Sequence, residues 1–193
     1  MIQLCLASNN PKKISEIKNI LGNSFDIKSL NQFLPYVDIP ETGKTLEENS
    51  EIKAKYLFEK LKMPCIADDS GLEVETLDNE PGVYSARYAG EEKDDMKNIE
   101  KLLLKMIGEK RRNARFRTII TYIDQGGIVQ FEGIIEGKII HELRGKNGFG
   151  YDPIFIPIGH EKTFAEMNSE EKNALSHRFL ALKKLQEYLR TRF

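Results

Sequence analysis

The sequence predicts a mixed-sheet α/β domain on three observations. Apolar runs of strand length are interspersed with segments of helical period, two strand-like runs meet at a tight glycine turn, and no internal repeat, low-complexity tract or linker breaks the order. The 193 residues fit one domain, 1–193, long enough to bury a real core.

Taken in order, residues 2–7 read as a buried strand. Asn10 then offers an N-cap and Pro11 the first helical position, with Ile14, Ile17 and Leu21 at helical spacing. Thr45 and Glu48 have capping-box spacing, which favours Glu48 as the partner of Thr45 over a role among the site's acids, and Leu46, Ala54, Leu57 and Leu61 give the stripe of a second helix running to Lys62. Residues 65–67 and 71–77 read as strands bracketing an acidic run, the second with Glu73 and Glu75 on a wet face, and 79–82 as a turn. A third helix is predicted over 94–107, with Gly108 placed to end it. Strands at 116–123 and 128–135 join through Gln125-Gly126-Gly127. A further strand at 138–143, a short apolar run at 153–156 and a final helix over 170–189, carrying Leu175, Phe179, Leu182, Leu185 and Leu189, complete the chain.

Lys and Arg total 29 against 30 for Asp and Glu, so charge balance gives no reason to expect nucleic acid or an anionic membrane as partner. Arg111, Arg112, Arg115 and Arg117 read as solvated charge without aromatic interleaving. Cys5 and Cys65 sit in apolar runs with no CxxC spacing and read as buried thiols of a reducing compartment. The start MIQLCLAS has no cationic leader and too short an apolar stretch for a membrane span, so the expected location is cytoplasmic.

Four segments carry chemistry. In Ala67-Asp68-Asp69-Ser70-Gly71-Leu72, two carboxylates follow an apolar strand; both can serve one cleft if the strand stops near Asp68, and the alternative is an Asx-type turn between strands. Ser8-Asn9-Asn10-Pro11-Lys12-Lys13 puts two lysines in the first turn of a helix, where the macrodipole disfavours cations; either the helix start cradles a phosphate or the lysines are simply solvated. Glu41, before the second helix, would add to Asp68 and Asp69 the oxygen ligands Mg²⁺ prefers when substrate phosphates also hold it, while Lys53, on the same helix face as Asn49, reaches a phosphate or solvent. Gly148-Phe149-Gly150-Tyr151-Asp152-Pro153 combines close backbone approach with aromatics able to stack on a base, or else forms a tight turn with core aromatics. Lys172, Ser176, His177 and Arg178 then give a polar, cationic cluster, with Lys172 and Ser176 on one face, or a solvated helix surface.

The ordered set SNNPKK, ETGKTLEEN, ADDSGLEVETL, PGVYSARYAG, GFGYDPIF and EKNALSHR closely resembles the inosine triphosphate pyrophosphatase family, over nearly the whole chain. It departs at Asn9, where glycine is common, and at Ser50, where alanine is common. The resemblance implies an elongated mixed sheet flanked by helices, two lobes around a nucleotide-binding cleft, a homodimer, and Mg²⁺-dependent cleavage of purine nucleoside triphosphates (ITP, dITP, XTP) to monophosphate and pyrophosphate. By position it implies that Ser8, Asn9, Asn10, Pro11, Lys12, Lys13 and Lys53 contact the triphosphate. Glu41 and Asp69 would hold Mg²⁺, and Asp69 would accept the proton of the attacking water. Ser70, Phe149, Gly150, Tyr151, Asp152 and Lys172 would line the substrate, His177 and Arg178 would read the base, and Asp68 would be a further acidic ligand or lie behind the ligands. The rival readings are a Maf-like pyrophosphatase acting on other nucleotides and a catalytically silent nucleotide-binding module.

Overall fold

The computed structural model describes residues 2–22, 25–35 and 37–192. Among them, seven strands form one mixed sheet: β1 (Ile2–Leu6), β2 (Phe25–Ser29), β3 (Cys65–Val74), β4 (Glu80–Pro81), β5 (Asn113–Asp124), β6 (Gly127–Ile139) and β7 (Phe155–Pro157). Their spatial order is β2-β1-β3-β5-β6-β7, with β4 paired to β3. β1 runs parallel to both β2 and β3, whereas β3 with β4 and β6 with β7 are antiparallel. The helices are α1 (Pro11–Leu21), α2 (Leu30–Phe33), α3 (Leu46–Leu61), α4 (Asp95–Lys105), α5 (Ser169–Asn173) and α6 (His177–Arg192). The architecture is α/β with a mixed sheet and flanking helices, as the sequence predicts. No helix among the described residues is long and apolar enough to cross a membrane.

The chain divides into two compact units. The first comprises Met1–Asp69, Thr118–Gly133 and Arg178–Phe193. One of its cores joins Leu4 and Leu6 of β1, Ile17 and Leu21 of α1, Ile66 of β3 and Leu182, Leu185 and Leu189 of α6. A second gathers Ala54 and Leu57 of α3 with Leu30, Ile39 and the paired Cys5 and Cys65, which lie in register on β1 and β3 with no exposure. Local chemistry starts the helices as predicted: the Asn10 side chain accepts from the Lys12 and Lys13 amides with Pro11 in the first turn, and Thr45 Oγ1 accepts from Glu48 N–H at 3.1 Å. Glu48, however, accepts from Lys44 N–H, one residue before the cap, so the expected capping box is displaced. Helix α3 is keyed to the sheet by Ser50, whose buried hydroxyl lies 3.1 Å from the carbonyls of Ala67 and Ile119 and accepts from Thr121 Oγ1 at 2.8 Å.

The second unit comprises Ser70–Arg117 and Ile134–His177. Its core packs Leu72 and Val74 of β3 and Ile99 and Leu102 of α4 against Phe116, Tyr151, Phe155 and Phe164. Phe116 meets Phe155 edge-on at 4.7 Å and stacks with His177 at 4.9 Å, arrangements that add to simple burial.

The structure departs from the sequence reading at four points. First, β3 runs unbroken through the acidic run to Val74, and residues 75–77 coil into a 3₁₀ turn instead of extending it. Glu73 lies not on a wet face but buried, between Arg115 at 2.6 Å and Arg117 at 3.3 Å, and Arg112 donates to the carbonyls of Met106, Ile139 and Ile140, so three of the four arginines are engaged in such contacts while Arg111 is exposed. Second, no separate strand forms at 138–143: Lys138 and Ile139 are the last residues of β6, and 140–143 lie in no strand; beside that end Gly137 approaches β7 closely, where a Cβ would lie 2.4 Å from Ile156 O. Third, the final helix is two helices. The Leu175 and Ser176 amides both turn back to Lys172 O, at 3.2 and 2.9 Å, which closes α5 before α6 begins, so Lys172 and Ser176 do not share a helix face. Fourth, β2 and α2 have no counterpart in the sequence reading.

Gly71 shows why a glycine sits inside a buried strand. An added Cβ would meet Gly82 O at 2.3 Å, backbone that cannot step aside. Gly71→Ala is therefore expected to destabilise the protein by about 1–3 kcal/mol, the range for overpacking, read as a lower urea midpoint with unchanged slope; a midpoint equal to wild type would refute the close approach.

Candidate active site

Buried charge concentrates where α1, α3 and α6 meet the middle of β3 in the first unit. Lys53, from the third turn of α3, is 7 % exposed and reaches three oxygens: Glu41 Oε1 at 2.7 Å, Asp69 Oδ1 at 2.8 Å and the carbonyl of Asp68 at 2.8 Å. Asp68, one residue earlier on the strand, takes different partners, Lys13 at 2.8 Å from α1 and Arg178 Nε at 3.1 Å from α6. Arg178 in turn donates to Glu16 of α1, and this guanidinium is 1 % exposed. Adjacent strand residues point to opposite faces, so the two aspartates divide between two sets of cations without the strand having to stop.

The two carboxylates are driven in opposite directions. Burial raises the Asp68 pKa, but Lys13, Arg178 and Lys53 outweigh it and hold the group well below the ordinary 3.8. For Asp69 burial prevails over Lys53 and Lys13, with Glu41 adding like-charge repulsion, and its pKa is raised above 3.8. Lys53 is kept protonated because Asp69 and Glu41 overcome the desolvation of its ammonium. Separation of this kind between neighbouring acids is a mark of a functional site.

Glu41 is half-buried, and the loop that carries it is pinned by Asn49, fully buried on α3, whose Oδ1 accepts from Gly43 N–H at 2.7 Å. Glu41 and Asp69 already converge on one cation, the Lys53 ammonium. No cluster of three His, Cys, Asp or Glu suited to a metal occurs among the described residues. Mg²⁺ characteristically uses one or two carboxylates together with substrate phosphates, and this donor pair fits that pattern. In the approach to α1, Asn10 N–H donates to Ser8 Oγ at 3.2 Å and Asn9 Nδ2 to Val37 O at 2.8 Å, while Lys12 is exposed and Lys13 half-buried.

The second unit holds the remaining predicted residues. Gly148 and Gly150 both have positive φ, +76° and +58°, and shape a loop in which Asp152 Oδ2 accepts from Phe149 N–H at 2.8 Å and from Lys172 Nζ at 2.7 Å. The Lys172 ammonium lies 4.7 Å from the Phe149 ring centroid, a cation–π contact. Tyr151 is buried and donates its hydroxyl to Ser85 O at 2.9 Å; burial pushes its phenol above its ordinary pKa, so it stays a neutral donor. His177 is 5 % exposed against Phe116, not a solvated surface group, and Ser70 is half-buried.

Glu41, Lys13, Lys53, Asp68, Asp69 and Arg178 are thus brought together in one unit, and Phe149, Tyr151, Asp152, Lys172 and His177 belong to the other. Sequence reasoning missed Glu16. The signal available was an acid three residues after Lys13, on the same face of α1 and beside the buried Ile17.

Fold and site together define a mixed-sheet α/β protein with a buried cluster of paired acids and cations on β3, α1, α3 and α6. The chain belongs to the Ham1 family, whose model matches residues 4–188. It is 49 % identical over 190 residues to a dITP/XTP pyrophosphatase of Porphyromonas gingivalis, covering 98 % of each chain, and 48 % identical over 193 residues to that of Bacillus subtilis, again covering 98 % of each. Among solved structures, the Ham1 protein of Staphylococcus aureus superposes with a TM-score of 0.91 at 41 % identity, covering 99 % of this chain and 100 % of that one. A dITP/XTP pyrophosphatase from Mycobacterium abscessus gives 0.78 at 41 % identity, covering 95 % and 98 %.

The Asp68 cluster has a pH signature. A carboxyl whose folded pKa is depressed contributes stability that is fully present above its unfolded value, here 3.8, and is lost as pH falls toward the folded value; Asp69, raised, has the opposite sign. Asp68→Asn is expected to lower unfolding free energy by about 3–5 kcal/mol near neutrality, as for breaking a buried ion pair, with the gap to wild type narrowing below the ordinary carboxylate range. Urea titrations across acid pH measure this, and a gap that stays constant into strong acid would contradict it.

Proposed function

We propose that the chain hydrolyses non-standard purine nucleoside triphosphates, the dITP, ITP and XTP class, to the monophosphate and pyrophosphate, as a single nucleoside triphosphate pyrophosphatase domain. The observation that carries the reading is Lys53 binding Glu41 and Asp69 at once, beside the Asp68–Lys13 pair. The curated relatives bear the corresponding name.

In this reading Asp69 holds the attacking water and accepts its proton as oxygen adds to the α-phosphorus and the bond to the departing pyrophosphate breaks. Lys13, Lys12 and Lys53 neutralise phosphate oxygens, and Ser8, Asn9, Asn10 and Pro11 shape the approach to α1 through which the triphosphate is bound. Glu41 and Asp69 would hold Mg²⁺, which supplies further charge neutralisation for the leaving group. Ser70 contacts substrate beside Asp69. Phe149 stacks on the base, Gly150, Tyr151, Asp152 and Lys172 line the nucleoside, and His177 and Arg178 read its edge, Arg178 pre-organised by Glu16 and Asp68. A donor facing the 6-oxo group of hypoxanthine or xanthine would face another donor in adenine, and that unmatched polar pair is the physical basis for rejecting ATP. A homodimer, supported by the family resemblance, and a cytoplasmic setting, supported by the two free thiols, complete the proposal.

With Mg²⁺ present, pyrophosphate release from ITP and XTP is expected to exceed that from ATP by about a hundredfold or more; equal turnover of ATP would sink the selectivity, and orthophosphate as first product would sink the reaction. Asp69→Asn is expected to lose at least about a hundredfold in kcat while keeping the wild-type circular dichroism spectrum, and near-normal turnover would remove Asp69 from its role. Mg²⁺ is expected to raise the melting temperature of wild type but not of Glu41→Gln, since only a cation bound to the folded state stabilises it; equal shifts in both would exclude Glu41 as a ligand.

A further inference from the structure

The motif PGVYSARYAG and the start of α4 take no part in the proposed chemistry, yet both are tied to the loop at 148–152. Gly150 N–H donates to Asp95 Oδ2 at 2.8 Å across 55 residues of sequence. Tyr151 Oη donates to Ser85 O at 2.9 Å. Ser85 is itself fixed, its Oγ donating to Gly82 O at 2.6 Å and accepting from Leu72 N–H at 2.9 Å. Asn98 of α4 binds the same segment twice, donating to Ala86 O at 3.0 Å and accepting from Ala89 N–H at 2.7 Å.

Asp95 stands out among these tethers because it is the charged one and because of what it holds. Gly150 has φ +58°, a left-handed conformation in which the peptide is set by its hydrogen bonds. Phe149 N–H is taken by Asp152, so two successive amides of the loop are each fixed by a carboxylate, one from within the loop and one from α4. Hydrogen bonds to a charged acceptor are stronger than neutral ones. The ordinary explanation for an acid at this position, complementing the helix dipole, is met by its neighbour: Asp94 caps α4, accepting from Met96 N–H at 2.9 Å and Lys97 N–H at 3.1 Å.

We propose that Asp95 is a positioning residue for nucleobase discrimination: by holding the Gly150 amide it sets the turn that aims Phe149 and its neighbours at the base. This rests on the reading of residues 149–152 as the nucleoside-binding loop. Asp95 is bonded to the loop assigned to the nucleoside and is not among the residues assigned to the phosphates or the attacking water, so its loss acts on substrate binding and on the ratio between bases, not on the chemical step.

The test compares Asp95→Ala, Asp95→Asn and Asp94→Ala on the full chain with Mg²⁺, using ITP and ATP. Asp95→Ala is expected to raise KM for ITP about tenfold and to shrink the ITP:ATP ratio of kcat/KM by a similar factor, the scale of one charge-assisted hydrogen bond, with kcat within about twofold. Asp95→Asn keeps an acceptor oxygen and is expected to restore most of both. Asp94→Ala removes the helix cap and is expected to lower the melting temperature while leaving KM and the ratio at wild-type values. Amide hydrogen exchange gives a readout independent of activity: Gly150 N–H is expected to exchange at least about tenfold faster in Asp95→Ala. Unchanged KM and ratio in Asp95→Ala, or the same changes in Asp94→Ala, would overturn the proposal. An unchanged Gly150 exchange rate would overturn the brace by itself, whereas a wild-type protein that releases no pyrophosphate from ITP would bring down the underlying functional reading and the discrimination role with it.

Discussion

One buried ammonium organises the first unit. Lys53 Nζ is hydrogen-bonded to the loop before α3, to a strand side chain and to the strand backbone at once. A desolvated cation is expensive unless compensated, and a desolvated carboxylate pair more so. Each makes the other tolerable. This arrangement constrains sequence far from any chemistry: Asn49 must hold Gly43, and Ser50 must bridge two strand carbonyls, for the α3 turn that carries Lys53 to sit where it does.

The same reasoning explains how two neighbouring acids acquire different characters. Their burial is similar, 1 % and 6 % exposure, so desolvation alone cannot separate them. Asp68 pairs with two cations, Lys13 and an Arg178 that it shares with Glu16, whereas Asp69 has the single Lys53 and shares it with Glu41, and that difference in partners, set by the strand's alternation, sends one pKa down and the other up.

What was legible in the sequence is what local chemistry decides. Asn10-Pro11 and Thr45 start helices through contacts within three residues, and Gln125-Gly126 turns a hairpin for equally local reasons. β2 carries only a weak signal: Phe25 and Ile27 alternate with Asp26 and Lys28, but five residues are too few for that period to mark a strand. The unbroken β3 was not readable, because a strand tolerates paired aspartates only when cations wait on both faces, and Arg178 stands 110 residues from Asp68. Glu73 and Arg112 were misread for the same reason: their partners are distant, and a charge next to a turn carries no local sign of burial. The candidate residues stand out in the sequence as motifs, but their division between the two units does not, since it depends on where β3, β5 and β6 pass from one to the other.

The register that sets Cys5 beside Cys65 has a practical side. Neither thiol has any exposure, and the Cys5 thiol contact followed by burial pushes the Cys65 pKa above its ordinary value. Thiolate is the reacting species, so Cys65 stays silent toward alkylating and disulfide reagents while β1 and β3 remain paired. The native strand pair therefore works as a clock: the rate at which Cys65 becomes labelled reports how often the strand carrying Asp68 and Asp69 opens, with no label or mutation introduced beforehand.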